Sequence, residues 1–142
     1  ASNAQCAKLA AHLRNPDTVG TPLIVPSIAR KDETSYQKDM WRGPVWINLN
    51  WLIAKAFEIN GFQEESQRIL TQTVAEQENM FAKYGTFFEF YDDRQEVDPP
   101  KLHRKGKCAP EISPMHQVFF DYGWSATLYV DMVWELGNGS LD

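Results

Sequence analysis

Residues 41–61 read WRGPVWINLNWLIAKAFEING, and this stretch carries the strongest structural signal in the sequence. Apolar residues recur at intervals of three and four from Val45 to Phe57, which is typical of a helix with one buried face. Pro44 is expected in the first turn of that helix, because a proline loses no intrahelical hydrogen bond there. The Asn-Gly pair at the end of the stretch predicts where the helix stops.

Three further helical patterns lie at 5–13, 63–82 and 124–136. The short join after Gly61 predicts that the helix at 63–82 folds back on its predecessor as an antiparallel hairpin. Gly137 is expected to cap the last helix. The remainder consists of two long irregular segments and a short extended one, at 16–44, 92–121 and 85–91. The predicted fold class is therefore all-α, with helical hairpins, two long loops and a short extended segment.

The length and composition restrict the class of protein. The 142 residues suit one domain, and 43% hydrophobic residues are typical of a globular chain rather than a disordered one. A net charge of −5 offers no basic surface for phosphates, so nucleic acid is not an expected partner. No apolar run approaches the roughly 20 residues of a membrane span, so no membrane partner is expected either. The chain is expected to be soluble, and the sequence does not choose between cytoplasm and periplasm.

Cys6 and Cys108 are the two cysteines, and neither has a Cys or His nearby at metal-ligand spacing. We expect two free thiols, with a single disulfide as the alternative, and neither a metal nor another cofactor. Residues 1–4 read Ala-Ser-Asn-Ala, which resembles a cloning scar. The predicted domain therefore covers residues 5–137.

The segment 41–51 combines three tryptophans, one arginine and two asparagines. Indole faces stack on the apolar face of a sugar ring, while asparagine and arginine offer hydrogen bonds to hydroxyl groups. These residue types favour a polyhydroxylated ligand. The alternative is a helix that is buried on all sides, with the asparagines acting as caps.

Glu89 is the candidate for acid–base chemistry. It stands between Phe87-Phe88 and Phe90-Tyr91, and a carboxylate among aromatic rings loses solvation, which suits it to general acid or base catalysis. The alternative is that strand alternation turns Glu89 to water while Phe88 and Phe90 point inward. The pattern alone favours that second interpretation.

A basic cluster follows Glu89 in the second long segment: Lys101, His103, Arg104, Lys105 and Lys107. A run of like charges is most often a solvated surface. The sequence therefore assigns this cluster to solvent rather than to a site.

The string at 41–53, the helix pair that follows it, FFEFYD at 87–92 and Trp124-Ser125-Ala126 together resemble the carboxy-terminal part of the catalytic domain of glycoside hydrolase family 63. The stretch from His12 to Ser27 resembles the run that precedes the Trp-Arg-Gly-Pro motif in that family. The family contains bacterial glucosidases and mannosylglycerate hydrolases and is related to the trehalases. The similarity extends over most of the chain, from about Cys6 to Leu136.

The resemblance implies a fold and a set of site residues. It implies that the chain is part of an (α/α)6 toroid, with a sugar site at one end of the inner helices, and an inverting mechanism with two carboxylic residues. Glu89 takes the position of the general base that activates the attacking water. The residues expected to contact the saccharide are Trp41, Arg42, Trp46, Asn48 and Trp124.

The general acid of this family is an aspartate on an earlier part of the toroid, outside the segment that this chain resembles. One carboxylate without its partner cannot complete an inverting hydrolysis. We therefore expect residues 5–137 to be a fragment of an exo-acting, glucosidase-like α-glycosidase that is inactive alone. Apolar helix faces that the missing toroid would cover are expected to cause self-association.

Two other functions fit the same residues. A non-catalytic helical module could use Trp41, Trp46 and Trp51 to hold a carbohydrate or a protein. A purely structural remnant would show neither specific binding nor a defined assembly. Substitution of Glu89 separates these possibilities from the hydrolase, because only catalysis requires a proton acceptor at that position.

Overall fold

Most of the secondary structure is α-helical. The structure, a computed structural model, describes residues 1–104 and 116–138. Within these ranges the helices are α1 (Asn3–Arg14), α2 (Ile47–Ile59), α3 (Gln63–Tyr84) and α4 (Gly123–Asn138). A short 3-10 turn occupies Pro99–Lys101, and the pairing between extended segments in the described residues is limited to isolated bridges. The prediction of an all-α fold is confirmed.

Helix α1 begins earlier than its apolar pattern indicates, because Ser2 caps it. The Ser2 hydroxyl accepts a hydrogen bond from the Gln5 backbone N–H at 3.3 Å, and the Gln5 side chain accepts one from the Ser2 N–H at 2.8 Å. This reciprocal pair satisfies two of the donors that a helix start leaves free. Ser2 and Asn3 therefore take part in the first helix and its cap, whatever their origin.

The expected position of Pro44 in the first turn of a helix is wrong. Helix α2 starts at Ile47, three residues later. The reason is that Val45 exchanges both backbone hydrogen bonds with Tyr91, at 2.8 and 3.0 Å, which holds it in an extended conformation. The tertiary pairing therefore delays the helix to the point where the chain leaves Tyr91.

Helices α2 and α3 form the predicted hairpin, and α4 packs against both of them. Gly61 makes the connection with a φ of +81°, and Gly85 ends α3 with a φ of +71°, both in the left-handed region that favours glycine. The predicted cap role of Gly137 is wrong, because α4 continues through it to Asn138.

The first long loop, predicted at 16–44, contributes side chains to the core. Leu23 and Ile24 are fully buried. The Asn50 amide, on α2, donates to the Ile24 carbonyl at 2.6 Å and to Thr73 Oγ1 at 2.8 Å, and its oxygen accepts from the Val25 N–H at 3.0 Å. Asn50 therefore joins the loop to α2 and α3 and is not available to a ligand.

Several large apolar side chains remain exposed on the helices: Leu52, Ile59, Val130 and Trp134. They supply the kind of surface on which the expectation of self-association rests, and that expectation stays a prediction. None of the helices in the described residues combines the length and the hydropathy that a membrane crossing needs.

Candidate active site

Glu89 is brought to the interior by the extended segment that follows α3. Its neighbour Tyr91 pairs with Val45, and the Glu89 N–H donates to the Phe119 carbonyl at 3.1 Å. The side chain is only 3% exposed, between Phe88 and Phe90, which are both fully buried. The alternative in which Glu89 faces water is wrong, because both sides of this segment are covered by other parts of the chain.

Arg104 lies directly against the Glu89 carboxylate. Its Nε is 3.0 Å from Oε2 and 3.2 Å from Oε1 of Glu89. The Arg104 guanidinium also stacks on the Phe119 ring, with Cζ 4.1 Å from the ring centroid. A buried carboxylate requires such a partner, since desolvating an unpaired charge is costly.

This pairing corrects the interpretation of the basic cluster. The Arg104 side chain is 20% exposed and ion-paired, so it is not part of a solvated surface. The Lys105 and Lys107 members of the cluster lie outside the described residues. Sequence reasoning missed Arg104, because a run of basic residues contains no signal that marks which member pairs with a buried carboxylate.

Two tryptophans of the motif stack face to face beside the Glu89 segment. The ring centroids of Trp41 and Trp46 are 3.7 Å apart and the rings are 3° from parallel. Trp46 is buried, contacts the Phe90 ring at 5.2 Å between centroids, and donates from its indole nitrogen to the Met40 carbonyl. Trp41 is 44% exposed. Trp46 thus supports Trp41, whose outer face is open to a ligand.

The other residues expected to contact a saccharide are exposed or half-buried. Arg42 is exposed, and its Nε donates to the Ser35 carbonyl at 3.4 Å. Asn48 is half-buried in the first turn of α2, and Trp124 is 55% exposed in the first turn of α4. The start of α4 is tied to the Glu89 segment, because the Tyr122 N–H donates to the Phe87 carbonyl at 3.0 Å.

Tyr122 is a further residue near the carboxylate that sequence reasoning did not assign. Burial and the negative charge of Glu89 raise the pKa of Tyr122, while the Arg104 charge opposes this shift. Tyr122 therefore stays a neutral hydrogen-bonding phenol at physiological pH. Its signal in the sequence was its place two residues before Trp124 of the family-like Trp124-Ser125-Ala126 segment.

The loop that carries Trp41 is held by a half-buried tyrosine, Tyr36. The Tyr36 hydroxyl donates to Asp93 Oδ1 at 2.6 Å, and the Arg94 guanidinium lies over the Tyr36 ring at 4.2 Å. Gly43 approaches this ring so closely that a Cβ atom there would lie 2.7 Å from Tyr36 Cε2. The glycine of the Trp-Arg-Gly-Pro motif is therefore required by packing.

Asp93 makes the stability of this region depend on pH. Burial, together with the neighbouring Asp92 charge, raises the pKa of Asp93 from 3.8 to about 6. The folded state therefore keeps a proton between about pH 4 and 6 that the unfolded state has lost. The stabilisation from protonated Asp93 is complete below pH 4 and is lost as the pH rises through 6.

We expect Asp93→Asn to remove this dependence, because the amide stays neutral. Two pKa units correspond to at most about 3 kcal/mol, so the unfolding free energy of the variant should gain up to that amount on wild type between pH 4 and 7. Urea unfolding at several pH values measures the difference, with the exposed Asp17→Asn as a matched control. A difference that stays constant over this pH range would contradict the assignment to Asp93.

The described residues contain no group of three His, Cys, Asp or Glu side chains placed to bind a metal ion. Cys6 is buried as a free thiol in α1. Cys108 lies outside the described residues, so two free thiols stay a prediction, with a single disulfide as the alternative.

Comparison with known proteins places this chain in a family. The sequence model of the mannosylglycerate hydrolase MGH1-like glycoside hydrolase domain matches residues 1–99. A mannosylglycerate hydrolase of Thermus thermophilus is 40% identical over 52 residues, which are 37% of this chain and 11% of that enzyme. The glucosylglycerate hydrolase of Mycolicibacterium hassiacum is 33% identical over 69 residues, which are 49% of this chain and 14% of that enzyme.

Solved structures show the same fold. The chain superposes with a TM-score of 0.62 and 22% identity on a GH63 mannosylglycerate hydrolase from Thermus thermophilus, solved in complex with glucose. The superposition covers 95% of this chain and 28% of the other, so the described helices correspond to part of a helical toroid. Since the family's sequence model matches well over half of its residues and its helices superpose on a solved member, the chain belongs to the MGH1-like glycoside hydrolases of family 63.

Proposed function

We propose that this chain is the base-bearing part of an inverting α-glycosidase, with Glu89 as the general base. The observation that carries the proposal is a 3% exposed carboxylate whose neighbour in the chain, Phe90, packs against Trp46 of the stacked tryptophan pair. The chain spans 28% of the solved relatives it superposes on and a smaller share of the curated ones. We call the longer polypeptide that would also carry the general acid the full-length enzyme.

The chemistry assigned to Glu89 is proton abstraction from water. As the water oxygen bonds to the anomeric carbon, the Glu89 carboxylate takes one of its protons and the glycosidic C–O bond breaks. The leaving oxygen receives a proton from the acid, which lies about 6.5–9.5 Å from the base in inverting enzymes. We assign no residue of the present chain to the role of this acid.

Trp41 is proposed to bind the sugar ring. Its inner face is covered by Trp46, so only the outer indole face is free to stack on the C–H face of a pyranose. Arg42, Asn48 and Trp124 are proposed to complete the wall around that ring. Trp46 is proposed to fix the orientation of the Trp41 ring by stacking on it, and not to contact the saccharide itself.

The proposed substrate is a small α-glucoside or a related saccharide. The named relatives hydrolyse mannosylglycerate and glucosylglycerate, so these two hexosyl glycerates are the first compounds to test. An exo-acting enzyme needs only one tight sugar subsite, which agrees with a single exposed indole in the Trp41–Trp46 pair.

The anomer of the released sugar tests the mechanism. We expect the full-length enzyme to release the β-anomer from an α-glycoside, because water attacks from the face opposite the leaving group. Proton NMR in the first minutes of the reaction distinguishes it from the α-anomer before mutarotation mixes the two. Release of the α-anomer would contradict the role of Glu89 as a base.

The 142-residue chain serves as the matched control. It should hydrolyse neither hexosyl glycerate, although glucose should perturb its tryptophan fluorescence through Trp41. A full-length enzyme that binds these saccharides without hydrolysing them would support the non-catalytic binding module instead.

A further inference from the structure

We propose that Arg104 is the positioning residue for Glu89, fixing the orientation of its carboxylate for the attacking water. This inference rests on the proposed function of Glu89 as the base. Arg104 lies beyond residues 1–99, which the family's sequence model matches, so the family assignment does not supply it.

The contact between Arg104 and Glu89 uses part of the acceptor capacity of the carboxylate. A carboxylate offers about four acceptor sites, two on each oxygen. Arg104 Nε lies 3.0 and 3.2 Å from the two Glu89 oxygens, so its single N–H is shared between them. Among the described residues, this shared N–H is the hydrogen bond that the two Glu89 oxygens accept, which leaves a further acceptor site on each oxygen for the attacking water. Arg104 thus fixes the plane of the carboxylate and occupies one of the two sites on each oxygen.

Glu89 and Arg104 both form hydrogen bonds with the short segment 116–119. The Glu89 N–H donates to the Phe119 carbonyl at 3.1 Å, and the Arg104 N–H donates to the His116 carbonyl at 2.7 Å. The Arg104 guanidinium stacks on the ring of Phe119 itself. Main chain and side chain of this segment therefore determine the angle at which the guanidinium meets the carboxylate.

The segment that carries Arg104 is also hydrogen-bonded to the loop that carries Trp41. The carbonyl of His103 accepts a hydrogen bond from the Met40 N–H at 3.2 Å, one residue before Trp41. The adjacent residues His103 and Arg104 therefore contact the loop of the proposed stacking residue and the proposed base, respectively. A sugar ring seated on Trp41 would meet a carboxylate whose direction Arg104 has set.

Chemical rescue tests this role in the full-length enzyme. We expect Arg104→Ala to lower kcat by about ten- to a hundredfold, the loss typical of a small misplacement of a reacting group, with KM little changed. Because the Arg104 side chain is 20% exposed, added guanidinium should enter the space it leaves and restore part of kcat. Urea, which has a similar shape but no charge, should not restore it. Arg104→Lys should fall between wild type and Arg104→Ala, since lysine keeps the charge but not the fixed planar N–H.

The control is Arg30→Ala, an exposed arginine outside the site, which should leave kcat unchanged with and without guanidinium. A second measurement needs no catalysis. In the 142-residue chain the Nε–H proton NMR signal of Arg104 should be shifted downfield and protected from exchange, and Glu89→Gln should abolish both effects.

The outcomes separate this inference from the proposed function. If Glu89→Gln abolishes turnover while Arg104→Ala leaves kcat unchanged, the positioning role is wrong and the base assignment stands. If neither guanidinium nor lysine restores any kcat, or if the Nε–H signal is unprotected, the positioning role is likewise overturned. If Glu89→Gln leaves turnover unchanged, the base assignment itself is wrong.

Discussion

Replacing Glu89 by Gln in the full-length enzyme is expected to lower kcat by about a hundred- to ten-thousandfold, which is the usual contribution of a general base. The amide keeps the shape of the side chain but cannot take a proton from water at neutral pH. Contacts to the sugar ring are made by other residues, so KM and the affinity for product should change little. Steady-state kinetics with a hexosyl glycerate measures both quantities.

The exposed Glu33→Gln is the matched control, because it removes a carboxylate of equal charge from a loop outside the site. It should keep wild-type kcat. The thermal midpoint of Glu89→Gln should be recorded as well, since Arg104 loses its charged partner in this variant. A folded Glu89→Gln enzyme with wild-type turnover would leave the binding module as the better explanation.

Replacing Asn50 by Ala is expected to destabilise the fold by about 3–5 kcal/mol, since each buried polar group left without a partner costs about 1–3 kcal/mol. The substitution removes partners from the Ile24 carbonyl, the Val25 N–H and the Thr73 hydroxyl at once. Asn50 has no exposed surface, so water cannot replace the lost contacts without opening the core. Urea unfolding of the 142-residue chain measures the loss.

Asn48→Ala on the same helix provides the comparison. Asn48 is half-buried two residues earlier, and its loss should cost less than about 1 kcal/mol, as is usual for a site that water can reach. Similar unfolding free energies for the two variants would show that the amide of Asn50 does not hold the long loop.

The helices were predictable because their signals are local. Periodic apolar residues and the Asn60-Gly61 stop are set by neighbours within a few positions along the chain. Helix α2 nevertheless begins at Ile47 and not at Pro44, since its start depends on hydrogen bonds to Tyr91, which is distant in sequence. Boundaries fail where a tertiary contact competes with the local preference.

The candidate site shows the same division. Residue types and the family resemblance identified Glu89 and the tryptophans, but the pattern alone favoured an exposed Glu89 and could not assign the two tryptophans different roles. The structure shows Trp46 buried beneath Trp41. Arg104 could not be identified, because its partner lies 15 residues earlier and nothing in a basic run marks which member forms an ion pair.

The sequence by itself determined the four helices, the all-α class and the family, because local periodicity and a contiguous motif are properties of neighbouring residues. Only the tertiary structure decided that Glu89 is buried and paired with Arg104, and that Asn50 serves the core instead of a ligand. Burial and charge pairing depend on which distant segments of the chain pack against a residue, and such contacts form only in the folded structure.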